Sequence, residues 1–485
     1  MSETGTLKIG WGHVNITPDQ PVQIAGQFHV RVSEGVRDPV TSTALALEGP
    51  GGEQAVLVSC DLVSISDDLR DAVRAKAAAA APGLDPMMIC VSATHTHTAP
   101  EVRPERSSTA ANVSGGVGLD LGTMEPAAYV DWASGLIADA IGKAWKGRRP
   151  GGVSFGLGHA VVGHNRRWTS FDGVSTMYGN TNQPSFSHVE GFEDHSVNIL
   201  AAFDAQDKLT GLVVNVACPS QVSESEFMVS ADYWHETRLE IKRRLGQDVF
   251  VLGQCSAAGD QSPHDIVFKA AEARMLEMLG RSKREDIAVR IADAVDKVLP
   301  VLRKKIERAP KMAHRVEKTG VKRRLLGEAD VAEALAEAAN WRAKEKEARA
   351  ALEANPELKK QPRWYVDVSR ACRRARWYEG VKARFEEEKV VPLYPVEFHV
   401  IRLGDMAFAT NPFEYYIDFG VQIKARSKAV QTFLIQLTGS GTYVPTQRAV
   451  AGKSYGAVPA STPVGPEGGR ELAEKTIAVI EQLWA

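Results

Sequence analysis

Apolar runs and amphipathic segments alternate along much of the chain with spacings that predict strands and helices. Residues 54–60 (QAVLVSC) are mostly apolar and predict a buried strand. The alanine-rich segment 67–81 predicts a helix, and 87–93 (MMICVSA) predicts a second strand. A strand, a helix and a strand within about forty residues favour a parallel βαβ unit.

The same pattern recurs twice and predicts an α/β fold with repeated βαβ units. Further strands are predicted at 209–217, 248–253, 396–404, 406–411 and 431–437, and helices at 232–246 and 413–426. We therefore predict that residues 1–264 and 392–485 form a single α/β catalytic domain.

Residues 265–391 differ from the rest of the chain because acidic and basic residues are interspersed along them, as in EADVAEALAEAANWRAKEKEARA. This pattern is typical of solvent-exposed helices. We predict a mostly helical insertion there, either a solvated hairpin or a lid or oligomer arm over the site. A homo-oligomer is compatible with that second interpretation.

The composition is that of a globular protein, with 44% hydrophobic and 24% charged residues in a chain of 485. A net charge of −2 gives no indication of a nucleic-acid partner, so we expect a small-molecule substrate. No apolar run is long enough to span a membrane, and the first residues lack the pattern of a signal peptide. Five dispersed cysteines without a CxxC motif favour a reducing cytoplasm over a disulfide framework.

Side chains suited to chemistry follow the ends of the predicted strands. Ligands of parallel α/β sheets bind outside the carboxyl ends of the strands, so these side chains could converge on one rim. They are Asp61, His95, His97, Cys218, Asp260, Glu414 and Tyr443.

The stretch SATHTHTAP carries His95 and His97 two positions apart, so both can point into one cavity. Imidazole and carboxylate are common zinc ligands, and a catalytic zinc keeps an open position. Glu414 and Tyr443 could complete such a set. The alternative is that the histidines form hydrogen bonds to the backbone and only stabilise the loop.

These residues lie in motifs that resemble those of neutral/alkaline non-lysosomal ceramidases. SATHTHTAP resembles the THTHSGP signature of that family, and QCSAAGDQSP resembles its NAGDVSPN segment. FEYY and TYVPTQRAVAGKSYGA also have counterparts there, whereas the charged insertion and the family's C-terminal immunoglobulin-like domain lie outside the match.

The resemblance implies a zinc ion bound by His95, Glu414 and Tyr443. It also implies that a second group of residues surrounds the scissile carbonyl or lies near the site: His97, Arg166, Tyr455 and Ser262. Asp260, like Asp61, could orient the histidines or could simply stabilise a turn.

The chain departs from the family at the second metal histidine, where Cys218 stands in VNVACPSQ. Three interpretations remain open. Cys218 binds zinc as a thiolate, or His235 or His195 replaces the missing histidine, or the site has lost tight metal binding.

Three functions follow from these features. The first is a zinc-dependent hydrolase that cleaves a C–N amide bond, with ceramide as one candidate substrate. The second is a metal-dependent hydrolase or lyase acting on a polar, sugar-like substrate, and the third is a non-catalytic binding protein. A long apolar tunnel would favour acyl amides, whereas a short pocket rich in arginine and tryptophan would favour a polar ligand.

Overall fold

The structure, a computed structural model, describes residues 5–103 and 116–485. The strands are β1 (Lys8–Asn15), β2 (Gln23–Ile24), β3 (Arg31–Val32), β4 (Gly35–Val36), β5 (Thr41–Glu48), β6 (Gln54–Cys60), β7 (Ile89–Ala93), β8 (Arg149–His159), β9 (His164–Asn165), β10 (Arg167–Ser170), β11 (Ser175–Met177), β12 (Phe186–Val189), β13 (Ser196–Asp204), β14 (Leu209–Val216), β15 (Met228–Val229), β16 (Phe250–Cys255), β17 (Gln261–Ser262), β18 (Met312–Lys322), β19 (Leu393–Leu403), β20 (Met406–Thr410), β21 (Glu414–Tyr415), β22 (Gln431–Ile435) and β23 (Tyr443–Val444). The helices are α1 (Asp67–Ala80), α2 (Pro126–Lys146), α3 (Tyr233–Leu245), α4 (Lys269–Leu279), α5 (Lys283–Leu302), α6 (Glu328–Ala354), α7 (Val366–Glu388), α8 (Ile417–Arg426), α9 (Gln447–Gly452) and α10 (Pro466–Trp484).

Two mixed sheets form the centre of the fold. The larger has the strand order β16-β14-β13-β8-β1-β5-β6-β7, and the smaller has the order β18-β19-β20-β22. The pairs β6–β7, β14–β16 and β20–β22 are parallel, and a helix connects the two strands of each pair. The other pairs in these sheets are antiparallel, so the sheets are mixed rather than parallel throughout.

Alternating apolar side chains place the two sheets face to face. In β5, Leu45 packs in one core with Phe408 and Phe433 of the smaller sheet. Its neighbour Ala44 points to the opposite face and packs with Ile141 of α2. Helices α1, α2, α3 and α5 therefore cover the larger sheet, and α8 and α10 cover the smaller one.

The segment 265–391 is less purely helical than its charge pattern predicts. It contains β18, which pairs with β19 along all eleven of its residues and lies at the edge of the smaller sheet. Charged residues are common on edge strands because they discourage pairing with other chains, so this strand resembles a polar helix in sequence. Helix α5 packs on the larger sheet, α4 has no buried residues, and α6 and α7 pack against each other.

Among the helices that the structure describes, none combines the length and the apolar character needed to cross a membrane.

Candidate active site

The two sheets meet where strands β7 and β20 end, and His95 and Glu414 are in contact there. His95 lies two residues after β7, and Glu414 lies four residues after β20. The Nε2 atom of His95 is 3.3 Å from Oε2 of Glu414. Both side chains are largely buried, so this contact between the sheets is shielded from solvent.

The backbone at His95 directs its ring toward Glu414. Its φ of 65° lies in the left-handed region, which a residue with a Cβ adopts only when surrounding contacts require it. The Nδ1 atom is 2.5 Å from the carbonyl oxygen of Val63. Nδ1–H donates to that carbonyl, so Nε2 is the ring nitrogen that faces the carboxylate.

Glu414 lies in a short strand, whereas the sequence predicts a helix beginning at 413. Strand β21 pairs in parallel with β23, and Glu414 is aligned with Tyr443. Burial alone would raise the pKa of Glu414, but the neighbouring His95 and Arg166 lower it below its ordinary value. The Tyr443 side chain contributes to lowering the pKa of Glu414.

Arg166, rather than Arg167, reaches the site. Its Nη2 donates to the Tyr443 hydroxyl at 3.1 Å and to the carbonyl oxygen of Gly259 at 2.9 Å. The Arg167 guanidinium instead pairs with Glu190 at 2.9 Å and donates to backbone carbonyls, including that of Tyr455. Arg167 therefore stabilises the loop that carries Tyr455, and Arg166 supplies the positive charge beside the tyrosine.

His97 places an unpartnered nitrogen at the same site. Its ring centroid is 4.9 Å from that of His95, and its Nδ1 is 3.1 Å from the carbonyl oxygen of Gly26. Its Nε2 is buried and has no hydrogen-bond partner within the described residues. Burial lowers the pKa of His97 well below its ordinary value, and the nearby His95 and Arg31 lower it further. His97 is therefore neutral, with the lone pair of Nε2 available.

Gly26 is required for the close approach of this loop to His97. Its φ is 98°, and a Cβ at this position would lie 2.7 Å from Nδ1 of His97. Any larger residue would displace the imidazole or break its hydrogen bond to the loop.

His95, His97, Glu414, Tyr443 and Tyr455 border one cavity with a volume of about 100 Å³. This volume accommodates a few water molecules or a small polar group. Charged and aromatic side chains that the sequence pattern does not identify complete the wall on the side of α7. They are Phe28, Glu101, Arg103, Arg373 and Trp377.

Asp260 and Ser262 do not border the cavity. The Asp260 carboxylate accepts hydrogen bonds from the Ile417 backbone and the Asn165 amide, both at 2.9 Å. Burial raises its pKa to about 6. Ser262 accepts a hydrogen bond from the Tyr178 hydroxyl at 3.2 Å. In the described part of the chain, Asp260 therefore positions backbone segments rather than a histidine.

Asp61 likewise does not orient a histidine, contrary to one interpretation of the sequence. Its two carboxylate oxygens form a buried ion pair with Arg238, each at 2.8 Å. It also accepts hydrogen bonds from Thr41, which fixes the start of β5 against the end of β6.

Cys218 faces the apolar core instead of the cavity. Its sulfur lies 3.5 Å from the Val162 carbonyl and 3.4 Å from the Pro219 carbonyl, and the residue is fully buried among strands and helices. Burial raises the pKa of the thiol well above its ordinary value. The interpretation of Cys218 as a rim ligand is therefore corrected, because its side chain points to the helix-covered face of β14.

Neither alternative histidine takes the place of Cys218. His235 lies in the first turn of α3, and its backbone N–H donates to the Asp232 carbonyl. His195 lies 3.4 Å from Glu193 and close to the ring of His164. Neither residue borders the cavity.

A different group of possible ligands lies between the sheet edges. Within the described residues, Cys90, His314 and His399 form the only cluster of three or more cysteine, histidine or acidic side chains whose ligand atoms all lie within 4.8 Å of one another. The sequence did not reveal it, because the three residues are far apart along the chain.

Hydrogen bonds account for this cluster without an ion. His314 Nδ1 is 3.0 Å from the Gln54 carbonyl, and its Nε2 is 3.0 Å from Nδ1 of His399. The Arg74 guanidinium lies 3.2 Å from Nε2 of His399 and would repel a cation. We therefore assign the cluster to hydrogen bonding between the sheets.

Comparisons with known proteins agree with the fold. No protein-family model and no curated protein matches the sequence. The structure is similar to the neutral ceramidase from Pseudomonas aeruginosa, with a TM-score of 0.67 and 16% identity over 98% of this chain and 75% of that chain. It is also similar to a ceramidase in complex with C2, with a TM-score of 0.65 and 16% identity over 98% of this chain and 76% of that chain. The ceramidase-like fold expected from the sequence is thus confirmed, and the alignment extends beyond the segments that carried the resemblance.

The orientation of Cys218 leads to a prediction about metal content. Cys218→Ser should leave the zinc bound per chain unchanged, because the thiol faces the core. Glu414→Gln should lower it, because the change removes an anionic oxygen from the site. Zinc is measured by mass spectrometry after dialysis, with Cys90→Ser as the control for the second cluster. Loss of zinc in Cys218→Ser with retention in Glu414→Gln would contradict this assignment.

The histidine cluster leads to a prediction about pH. Burial lowers the pKa of His314 to about 3, with a further decrease from the charge of His399. Because the unfolded chain binds this proton near pH 6.5, the free energy of unfolding should decrease as the pH is lowered from 7 to 5. The slope attributable to one such histidine is up to about 1.4 kcal/mol per pH unit.

His314→Gln should reduce that slope in urea denaturation at pH 7, 6 and 5. Replacement of the exposed His188 by glutamine provides the control. An unchanged slope in His314→Gln would show that this histidine is not held neutral by the fold.

Proposed function

We propose that this protein is a zinc-dependent hydrolase that cleaves a C–N amide bond in a small polar substrate. The observation that carries the proposal is the buried, unpartnered Nε2 of His97, which lies beside the His95–Glu414 pair in the same cavity. A buried polar atom without a partner carries a cost in stability, and such atoms are common where a substrate supplies the missing contact.

The side chains at the end of the two sheets fit a zinc ion. A separation of 3.3 Å between His95 Nε2 and Glu414 Oε2 is compatible with two ligands at about 2.0–2.2 Å from one ion. The Tyr443 hydroxyl is the third oxygen or nitrogen atom in the set. Burial and the Glu414 charge raise the pKa of Tyr443 well above its ordinary value, and the Arg166 guanidinium opposes that rise. When bound, zinc supplies a water molecule of lowered pKa as the nucleophile.

The remaining residues would act on the proton and on the developing charge. His97 Nε2 accepts the proton of the attacking water and returns it to the leaving nitrogen. The Tyr455 ring is 5.3 Å from that of Tyr443 and borders the cavity, and its hydroxyl would donate to the carbonyl oxygen. Arg166 contributes positive charge behind both tyrosines.

The cavity favours a polar substrate over a long-chain lipid. Its volume of about 100 Å³ is smaller than the roughly 300–1,000 Å³ of typical ligand pockets, and its wall includes two arginines and two glutamates. A short pocket that contains arginine and tryptophan is the feature expected for a polar ligand. A second candidate function, hydrolysis or elimination on a sugar-like substrate, is favoured by the same observation.

The test is hydrolysis of a panel of short N-acyl amides by the zinc-loaded protein, with amine release as the readout. His97→Ala should lower kcat/KM by about 10²-fold or more, because a positioned general base contributes about 10²–10⁴-fold. Ser262→Ala should have a much smaller effect, since this residue lies outside the cavity.

Equal activity of His97→Ala and the unchanged protein would contradict the mechanism. Absence of turnover throughout the amide panel, together with turnover of a glycoside, would favour the second candidate. Absence of both activities in a zinc-loaded protein would favour a non-catalytic binding protein.

A further inference from the structure

We propose that the substrate carries a carboxylate group and that Arg373 of α7 binds it at the wall of the cavity. This inference rests on the proposed function because it takes the position of the binding site from it. It does not require that the ligand is cleaved. It assigns a role in substrate recognition to the charged helical segment.

Arg373 is a buried cation with weak partners. The residue is 2% exposed and borders the cavity. In the described part of the chain, its two hydrogen bonds reach neutral oxygens, the Gln27 carbonyl at 3.5 Å and the Gln23 amide at 3.3 Å. Its Nε is buried without a partner. Burial lowers its pKa to about 10, so the guanidinium is still charged at neutral pH.

The neighbouring carboxylate does not neutralise Arg373, because Arg103 pairs with it. Glu101 Oε1 accepts from the backbone and Nε of Arg103, both at 3.0 Å, and Oε2 lies 3.3 Å from Nη2. Burial alone would raise the pKa of Glu101, but the charge and hydrogen bonds of Arg103 keep it below its ordinary value. One of the two guanidinium groups is therefore left for a ligand.

The free N–H groups of Arg373 suit a carboxylate. A guanidinium has five N–H groups, and only two of them are used here at long distances. The unpartnered Nε and an adjacent Nη form a planar fork that matches the two oxygens of a carboxylate. An uncompensated buried charge is costly, and an anionic ligand would remove that cost.

A single loop fixes the distance between this fork and the proposed reaction centre. The Gly26 carbonyl contacts His97, and the next carbonyl, that of Gln27, contacts Arg373. Consecutive Cα atoms are about 3.8 Å apart, so the two side chains lie within the length of one small molecule. A short amide with its carboxylate a few bonds from the scissile carbonyl would contact both.

Trp377 provides an apolar surface beside the charge. It follows Arg373 by one helical turn and therefore lies on the same face of α7. Its ring packs against those of Phe28 and Tyr455, with centroids 5.2 and 5.9 Å apart. The bound molecule would thus contact an aromatic wall between its carboxylate and its amide.

The experiment measures binding by isothermal titration calorimetry with N-acetylglycine and with its uncharged analogue N-acetylglycinamide. All titrations are made in a His97→Ala background, which removes the proposed general base and so suppresses hydrolysis of the probes, and the zinc-loaded protein should bind the carboxylate about tenfold more tightly. Arg373→Gln should abolish this preference, and Arg373→Lys should retain part of it, since it keeps the charge and loses the fork. Arg374→Gln is the matched control, because Arg374 packs over Phe28 and does not border the cavity.

Thermal melting establishes that each variant is folded. If Arg373→Gln does not fold, the reduced preference expected of Arg373→Lys tests the proposal. Equal binding of the two probes by the His97→Ala protein with Arg373 intact would overturn the proposal. So would an undiminished preference in Arg373→Gln, or tighter binding of inorganic phosphate than of N-acetylglycine. Because binding is measured without turnover, a failed amide assay would leave a positive result here intact.

Discussion

The contact between His95 and Glu414 is the interaction on which the rest of the site depends, because it joins the ends of two sheets. His95 follows the last strand of the larger sheet, and Glu414 follows a strand of the smaller sheet. The two sheets share an apolar core, so their relative position is fixed by packing far from the site. The site thus gains its rigidity from the fold, while the loops supply the reacting groups.

Polar groups near this contact are arranged at a cost that the surrounding structure offsets. His95 adopts a left-handed backbone conformation, and His97 and Arg373 each have a buried nitrogen without a described partner. Each of these features is unfavourable for folding, and together they surround one small cavity. In our account, the metal and the substrate supply the missing contacts. The apolar layers on both sides provide the stability that offsets these unfavourable features.

The sequence was sufficient for the elements that depend on local pattern and for the fold that its motifs resemble. Strand β6 and helix α1 follow from periodicity, and the ceramidase-like fold follows from the motif around His95 and His97. Prediction from the sequence was wrong where contacts between distant parts of the chain determine the local structure. Glu414 lies in a strand because β23 pairs with it, and Cys218 faces the core because the backbone after β14 turns its side chain away from the cavity.

Arg373 illustrates a further limit of sequence reasoning. Its charge resembles those of the many exposed arginines on the charged helices, and no local pattern distinguishes a buried arginine from a solvated one. Only the packing of α7 against the loop of Gln27 identifies it. The cluster of Cys90, His314 and His399 was missed for the same reason, since its members come from three strands far apart in the chain.

The most direct test of the central claim is a crystal structure of the zinc-soaked protein with anomalous diffraction measured at the zinc edge. Our account predicts a peak about 2.0–2.2 Å from both His95 Nε2 and Glu414 Oε2, with no peak between Cys90 and His399. A peak at the Cys90 cluster alone, or no peak beside His95 at saturating zinc, would contradict a metal site at the junction of the two sheets.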